Sequence, residues 1–124
     1  MPKEDNKLQL IPKTENYIEY MLLVMNKLPR TEKFSIGTEY KQSMYAMLRN
    51  TMYIVKLENK NKCLELVNTI DAELNTQRIY LRIMQKEKWI DTKKFNVAME
   101  LIYEIGKIIG GLVKYYAKNS AKQV

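Results

Sequence analysis

Hydrophobic residues recur every three or four positions along most of the chain, the spacing of helices that bury one face. Four such segments are separated by short breaks, and they predict helices over about 14–28, 37–58, 62–87 and 92–118. Short connections between long amphipathic helices are typical of an up-down-up-down four-helix bundle. We therefore predict an all-α bundle over 14–118, with a flexible N-terminal segment at 1–13 and a flexible basic tail at 119–124.

Local signals place some of the helix ends. Thr14 is a plausible N-cap for the first helix, and Pro29 ends that helix. Asp91 is predicted to be the N-cap of the fourth helix, which puts Ile90 and Phe95 at the two positions of a hydrophobic staple. This last boundary has the strongest support in the sequence.

The third predicted helix has two apolar lines. One line is predicted to face the core and consists of Cys63, Val67, Ile70, Leu74, Leu81 and Met84. The other contains Ala72, Ile79 and Ile83. This second line, at Ile79 and Ile83, favours a subunit interface.

The fourth predicted helix contains three of the four glycines of the chain, in EIGKIIGGLVKYY at 104–116. Each interior glycine costs roughly 1 kcal/mol relative to alanine. Gly106 and Gly110 are four residues apart on an edge of a wide apolar arc that also carries Tyr103, and together they leave a groove without Cβ atoms. Two interpretations stay open: close packing inside the monomer, or a homo-oligomer interface.

The positive charge is concentrated in the last two helices. The net charge is +7, and residues 78–94 hold six basic and two acidic side chains, while 105–124 hold four basic and none acidic. Two of the four arginines, Arg78 and Arg82, are one helical turn apart, and their planar forks suit phosphate or carboxylate. A solubilising surface would also explain the lysines. We predict a binding face formed by Arg78, Arg82, Lys86, Lys107, Lys114 and Lys118.

Several kinds of chemistry are disfavoured. The chain has no histidine and one cysteine, Cys63, which excludes most zinc sites, di-iron sites and histidine-activated nucleophiles. The close acidic pairs are interspersed with lysines, as on solvated helix faces. We predict no catalytic site, no metal and no cofactor. No apolar run reaches 18 residues and the first residues do not resemble a signal peptide, so a cytoplasmic protein without membrane contact is expected.

Three segments carry a resemblance to a known family: LPRTEKFSIGTEY at 28–40, LNTQRIYLRIM at 74–84 and the glycine-containing segment at 104–116. They resemble the corresponding segments of accessory variability determinant (Avd) proteins of diversity-generating retroelements, over roughly 15–118. Those proteins are similar in turn to four-helix-bundle proteins encoded in intervening sequences of bacterial 23S ribosomal RNA genes. The Arg78–Arg82 pair and the basic last helix favour the Avd branch.

The resemblance implies a fold and a role. Avd proteins are four-helix bundles that form a homopentameric barrel, bind RNA or DNA, and associate with the reverse transcriptase that copies template RNA into adenine-mutagenised cDNA. The chain would then be a non-catalytic accessory subunit. Two alternatives stay open: an intervening-sequence-type binding module without a reverse transcriptase, and a ribonuclease of a helical toxin class. Such ribonucleases usually pair an arginine with a histidine, which this chain lacks.

Overall fold

The computed structural model describes residues 4–121 and shows helices as the only regular elements there. A 3-10 helix at Glu4–Gln9 precedes α1 (Leu10–Asn26), α2 (Arg30–Lys33), α3 (Ile36–Lys56), α4 (Lys60–Lys86) and α5 (Thr92–Ala121). The four long helices correspond to the four predicted ones, which confirms the all-α class. In this part of the chain no helix combines the length and apolar character that a membrane crossing requires.

The first long helix begins earlier than predicted. Leu10 is its first residue and is buried, whereas Thr14 lies buried within the helix and caps nothing, so the Thr14 prediction is wrong. Gln9 occupies the N-cap position without a side-chain hydrogen bond. Pro12 fits because the first turn of a helix does not use its backbone N–H groups. The first long helix therefore begins at a buried apolar residue, Leu10, and not at a capping side chain.

Pro29 follows the first long helix and is also the N-cap residue of the short helix α2. The first long helix ends at Asn26, and the carbonyl of Pro29 accepts from the amides of Glu32 and Lys33, both at 2.9 Å, in the short α2. The sequence pattern predicted a loop there. A four-residue helix is too short to show hydrophobic periodicity, which is why the pattern misses it.

The two end segments lie partly outside the described residues. Residues 1–3 and 122–124 are not described, so the predicted flexibility of these ends stays a prediction. Residues 10–13 belong to α1 and residues 119–121 belong to α5. The helices therefore extend further in both directions than the sequence predicts.

The link between α4 and α5 reverses the chain in five residues. Lys88 has a positive φ of 65°, and the amide of Trp89 donates to the Met84 carbonyl at 2.8 Å, as in a Schellman motif. Asp91 Oδ1 then accepts from the Lys94 amide at 2.8 Å. This contact confirms the predicted N-cap of α5. The staple residues behave as expected, with Ile90 buried and Phe95 packed against the core.

The core lies between the four long helices and is filled mainly by aliphatic and methionine side chains. All six residues of the predicted inward line of α4 are buried, including Cys63. In the middle of α5, the side chains of Ile102, Ile105 and Ile109 are buried in the core. The second line of α4 is exposed: Ile79 and Ile83 retain 49% and 41% of their accessible surface. The fold of the chain itself therefore covers those two side chains only in part.

A chain of polar side chains crosses the core between α1, α3 and α4. Tyr40 hydrogen-bonds Tyr17, Tyr17 donates to Gln77 Oε1 at 2.6 Å, and Gln77 Nε2 donates to Ser43 Oγ at 3.0 Å. Ser43 Oγ donates in turn to the Glu73 carboxylate at 2.7 Å. Burial raises the pKa of both phenols above the ordinary value, and for Tyr17 the hydrogen bond from Tyr40 opposes that rise. We name these five residues the polar core chain.

Candidate functional site

Helices α4 and α5 lie side by side and run in opposite directions. At the beginning of α4, Lys60 Nζ lies 5.2 Å from the ring centroid of Tyr115 and 5.9 Å from that of Tyr116, near the end of α5. Further along α4, Arg78 approaches Gly106, in the middle of α5. This order of contacts requires antiparallel helices. It also brings together the two most basic parts of the sequence.

The Arg78 guanidinium approaches α5 at Gly106, a position that has no side chain. Its Nη1 donates to Asn75 Oδ1, one helical turn earlier on α4. Its Nη2 lies so close to Gly106 that a Cβ atom there would be 2.9 Å away, closer than real Cβ contacts allow. The close packing predicted for Gly106 is therefore present within the chain, and its partner is an arginine side chain.

Gly110 has different surroundings. A Cβ atom built on it would meet no atom within 4 Å, and the residue is exposed. Close packing inside the chain is therefore wrong as an explanation for Gly110. The other interpretation, a place where another subunit approaches, stays a prediction.

The other predicted basic residues lie along α4 and α5 on either side of the contact between Arg78 and Gly106. Arg82 and Lys86 are exposed one and two turns after Arg78 on α4. Lys107, Lys114 and Lys118 are exposed along one side of α5. With a rise of 1.5 Å per residue, the row extends about 12 Å toward the end of α4 and about 18 Å toward the end of α5. We name this row the basic seam; it consists of Arg78, Arg82, Lys86, Lys107, Lys114 and Lys118.

The arginines of the seam have few protein partners. Among residues 4–121, Asn75 is the hydrogen-bond partner of Arg78, and no carboxylate forms an ion pair with Arg78 or Arg82. Glu104, on the polar side of α5, pairs instead with Lys13 of α1 at 3.1 Å. Guanidinium groups left without carboxylates keep donors for an external anion.

Exposed apolar side chains accompany the seam. Tyr103 retains 61% of its accessible surface, and Lys107 Nζ lies 5.1 Å from its ring centroid, within cation–π range. Ile79 and Ile83 are exposed on α4. None of these three is closely packed within the chain. Their predicted role at an oligomer interface stays a prediction.

A second basic and apolar surface, which the sequence pattern did not predict, lies on α3. Its outward side exposes Tyr45, Arg49, Met52, Tyr53 and Lys56, and an open depression of about 410 Å³ lies between Leu48 and the last four of these. The segment 40–57 contains no acidic residue. The absence of acidic residues from this segment could have indicated a basic surface. It was hidden because basic and acidic side chains nearly balance over residues 1–77 as a whole. We name this surface the α3 face.

The described residues form no evident metal centre. Across positions 4–121, no three His, Cys, Asp or Glu side chains come together as a metal ion would need. The geometry instead offers a row of cations beside exposed aromatic and aliphatic groups. Such a surface suits a polyanion whose bases or neighbouring protein groups can contact the apolar side chains.

Comparison with known proteins supports the resemblance found in the sequence. A sequence model of the bAvd-like family matches residues 8–116, which include the whole of α1 to α4 and most of α5. A search of curated proteins found no match to the chain. The wider relation to intervening-sequence proteins stays a prediction. Because the family model covers most of the chain, we conclude that the chain belongs to the bAvd-like family.

Proposed function

We propose that this protein is a non-catalytic accessory subunit that binds nucleic acid and a retroelement reverse transcriptase, and so supports mutagenic reverse transcription. Its family membership supports the accessory role. The observation that carries the nucleic-acid part is the basic seam, whose arginines lack carboxylate partners among the described residues. Polymerase chemistry would belong to the reverse transcriptase, and this chain would hold the RNA or DNA in a cytoplasmic complex.

The assembly that we propose is a homopentamer of up-down-up-down bundles. Support for alternating directions comes from pairs of contacts that run in opposite order along two helices. Lys60 with Tyr115 and Arg78 with Gly106 show this for α4 and α5. Tyr40 with Tyr80 and Ser43 with Glu73 show it for α3 and α4. Support for self-association comes from exposed Ile79, Ile83 and Tyr103, which the single chain leaves uncovered. Repetition of the seam around a ring would multiply its attraction for a long polyanion.

Binding to nucleic acid is tested by titrating fluorescently labelled single-stranded RNA and DNA at several salt concentrations. We expect affinity that depends little on sequence and falls steeply as salt rises, because phosphate contacts release counterions. Absence of binding at low salt, or binding that salt does not weaken, would overturn this part of the proposal.

Association with the polymerase is tested by co-expression with a reverse transcriptase encoded in the same locus. We expect the two proteins to co-purify, and light scattering should report a multimer of the accessory chain alone. RNA binding without co-purification would support instead an intervening-sequence-type module that works without a reverse transcriptase. A monomer at all micromolar concentrations would overturn the pentamer.

A further inference from the structure

Gly106 is not required by the backbone of α5. Among the described glycines none has a positive φ, so the left-handed region that favours glycine is not used. An interior glycine costs roughly 1 kcal/mol of helix propensity relative to alanine. The atom that would obstruct a Cβ at this position is Arg78 Nη2, at 2.9 Å, while Leu74 Cδ2 at 3.8 Å is an ordinary contact. The glycine therefore makes room for one guanidinium group.

The other end of the guanidinium is also held. Arg78 Nη1 donates to Asn75 Oδ1, and the Asn75 amide nitrogen lies 3.5 Å from Asp71 Oδ2. This second contact orients the Asn75 amide, because its nitrogen turns toward the carboxylate and its oxygen toward the arginine. The flexible side chain of Arg78 is thus confined from two sides, by an acceptor on α4 and by the bare backbone of α5.

We propose that Gly106 and Asn75 are positioning residues, which hold the Arg78 guanidinium against the backbone of α5 in the orientation that binds a nucleic-acid phosphate. This inference rests on the proposed nucleic-acid binding and adds the residues that arrange it. A planar guanidinium binds phosphate through paired N–H groups, so its orientation matters as well as its charge. A side chain that is already confined also loses less freedom on binding.

Replacing Gly106 by alanine should change the position of the Arg78 side chain without lowering the stability of the protein. The one atom that a Cβ at Gly106 would approach too closely is the far end of the flexible Arg78 side chain, and its contact with Leu74 is of ordinary length, so Gly106→Ala should displace Arg78 without disturbing the core. Alanine also favours the helix. The variant should therefore have a Tm equal to or above that of the wild type. Gly110→Ala is the matched control, because it makes the same change in the same helix where no atom lies within 4 Å.

The experiment measures fluorescence anisotropy of a labelled single-stranded oligouridylate RNA titrated with the full-length protein across a series of salt concentrations. We expect Gly106→Ala to bind roughly 5- to 10-fold more weakly, the loss of one oriented charge-assisted contact, with a salt slope smaller by about 1. Gly110→Ala should match the wild type when the two are compared as the same multimer, which light scattering establishes first. Asn75→Ala should weaken binding in the same direction, because it removes the acceptor that holds Nη1.

A double-mutant cycle shows whether Gly106 acts through Arg78. Arg78→Lys keeps the charge and loses the planar fork. If the glycine works by placing the guanidinium, adding Gly106→Ala to Arg78→Lys should cause no further loss of affinity. Losses that simply add would mean that Gly106 acts independently of Arg78, and would overturn the proposal.

The other outcomes are also decisive. If the wild type binds and Gly106→Ala binds equally well, the positioning role is overturned while the proposed function stands. A lower Tm for Gly106→Ala with an unchanged salt slope would identify a packing role and overturn the inference in the same way. If the wild type binds no RNA at any salt concentration, the proposed nucleic-acid function and this inference both fail.

Discussion

Gln77 and Arg78 are consecutive residues of α4, yet they belong to two regions with opposite properties. Gln77 is fully buried in the polar core chain and is bonded through both ends of its amide, to Tyr17 and to Ser43. Arg78 lies in the basic seam, where one of its nitrogens donates a hydrogen bond to Asn75. The same helical turn therefore supplies a group committed to the fold and a group available to a partner.

The difference follows from desolvation. A buried amide without partners costs about 1–3 kcal/mol, so the core requires that Gln77 be fully bonded. A partly exposed guanidinium such as that of Arg78 can bond to water, so its donors can stay uncommitted until an anion arrives. Polar residues of the core chain should thus affect stability, and polar residues of the seam should affect binding. Each prediction below tests that division.

The largest effect is expected at Gln77. Gln77→Ala would remove one hydrogen bond from each of the Tyr17 and Ser43 hydroxyls and open a cavity, which together should lower the free energy of unfolding by about 2–4 kcal/mol. Urea unfolding measures the change. RNA affinity, measured where the variant is still folded, should equal that of the wild type. A selective loss of RNA binding in a fully stable variant would contradict the division.

High pH should also act on the core chain. Burial raises the pKa of Tyr17 and Tyr40, so these phenols stay protonated in the folded state when the unfolded chain begins to ionise near pH 10. Above that pH the unfolded state binds fewer protons, and stability should fall by about 1.4 kcal/mol per pH unit for each phenol until its folded pKa is reached.

Unfolding midpoints in urea between pH 8 and 11 measure this decline. Tyr17→Phe and Tyr40→Phe should each be less stable at pH 8, because a hydrogen bond is lost, and each should show a shallower decline above pH 10. Tyr103→Phe is the control, since that side chain is exposed and lies outside the polar core chain. A decline with equal slope in all variants would mean that Tyr17 and Tyr40 are not its cause.

These two regions also show how much the sequence could predict. Apolar periodicity was sufficient for the inward line of α4, from Cys63 to Met84, and one Asp at the right position was sufficient for the start of α5. The same reasoning could not find Gln77, because a polar residue on an apolar stripe is recognised as bonded only when the partners from α1 and α3 are in place. Spacing along one helix contains no information about those partners.

The seam shows a similar limit. Charge counts predicted a basic surface on the last two helices, and the i, i+4 arginines were placed correctly on α4. The role of Gly106 could not be predicted from α5 alone, because nothing in the α5 sequence indicates that a guanidinium from α4 packs against that position. The α3 face was missed for a different reason: acidic residues elsewhere in residues 1–77 balanced its charge in the sum.

A smaller effect distinguishes the seam from the α3 face. Replacing Arg78 and Arg82 together by lysine keeps the charge and removes two planar forks, and we expect roughly 10-fold weaker RNA binding and loss of co-purification with the reverse transcriptase. Circular dichroism should still report a folded bundle. Arg49→Lys on the α3 face is the matched control and should change neither measurement. If the double variant retains both activities, the seam provides only positive potential.

The smallest effect is expected at Gly110, where stability and assembly are measured together. In the isolated chain its Cβ position is open, so Gly110→Ala should raise the free energy of unfolding by about 0.5–1 kcal/mol through helix propensity alone. If another subunit packs against this bare stretch of α5, the added methyl group would enter that contact. Light scattering would then show a smaller multimer, although the bundle itself would be no less stable. An unchanged multimer with the expected gain in stability would remove Gly110 from the interface and leave Ile79, Ile83 and Tyr103 as its candidates.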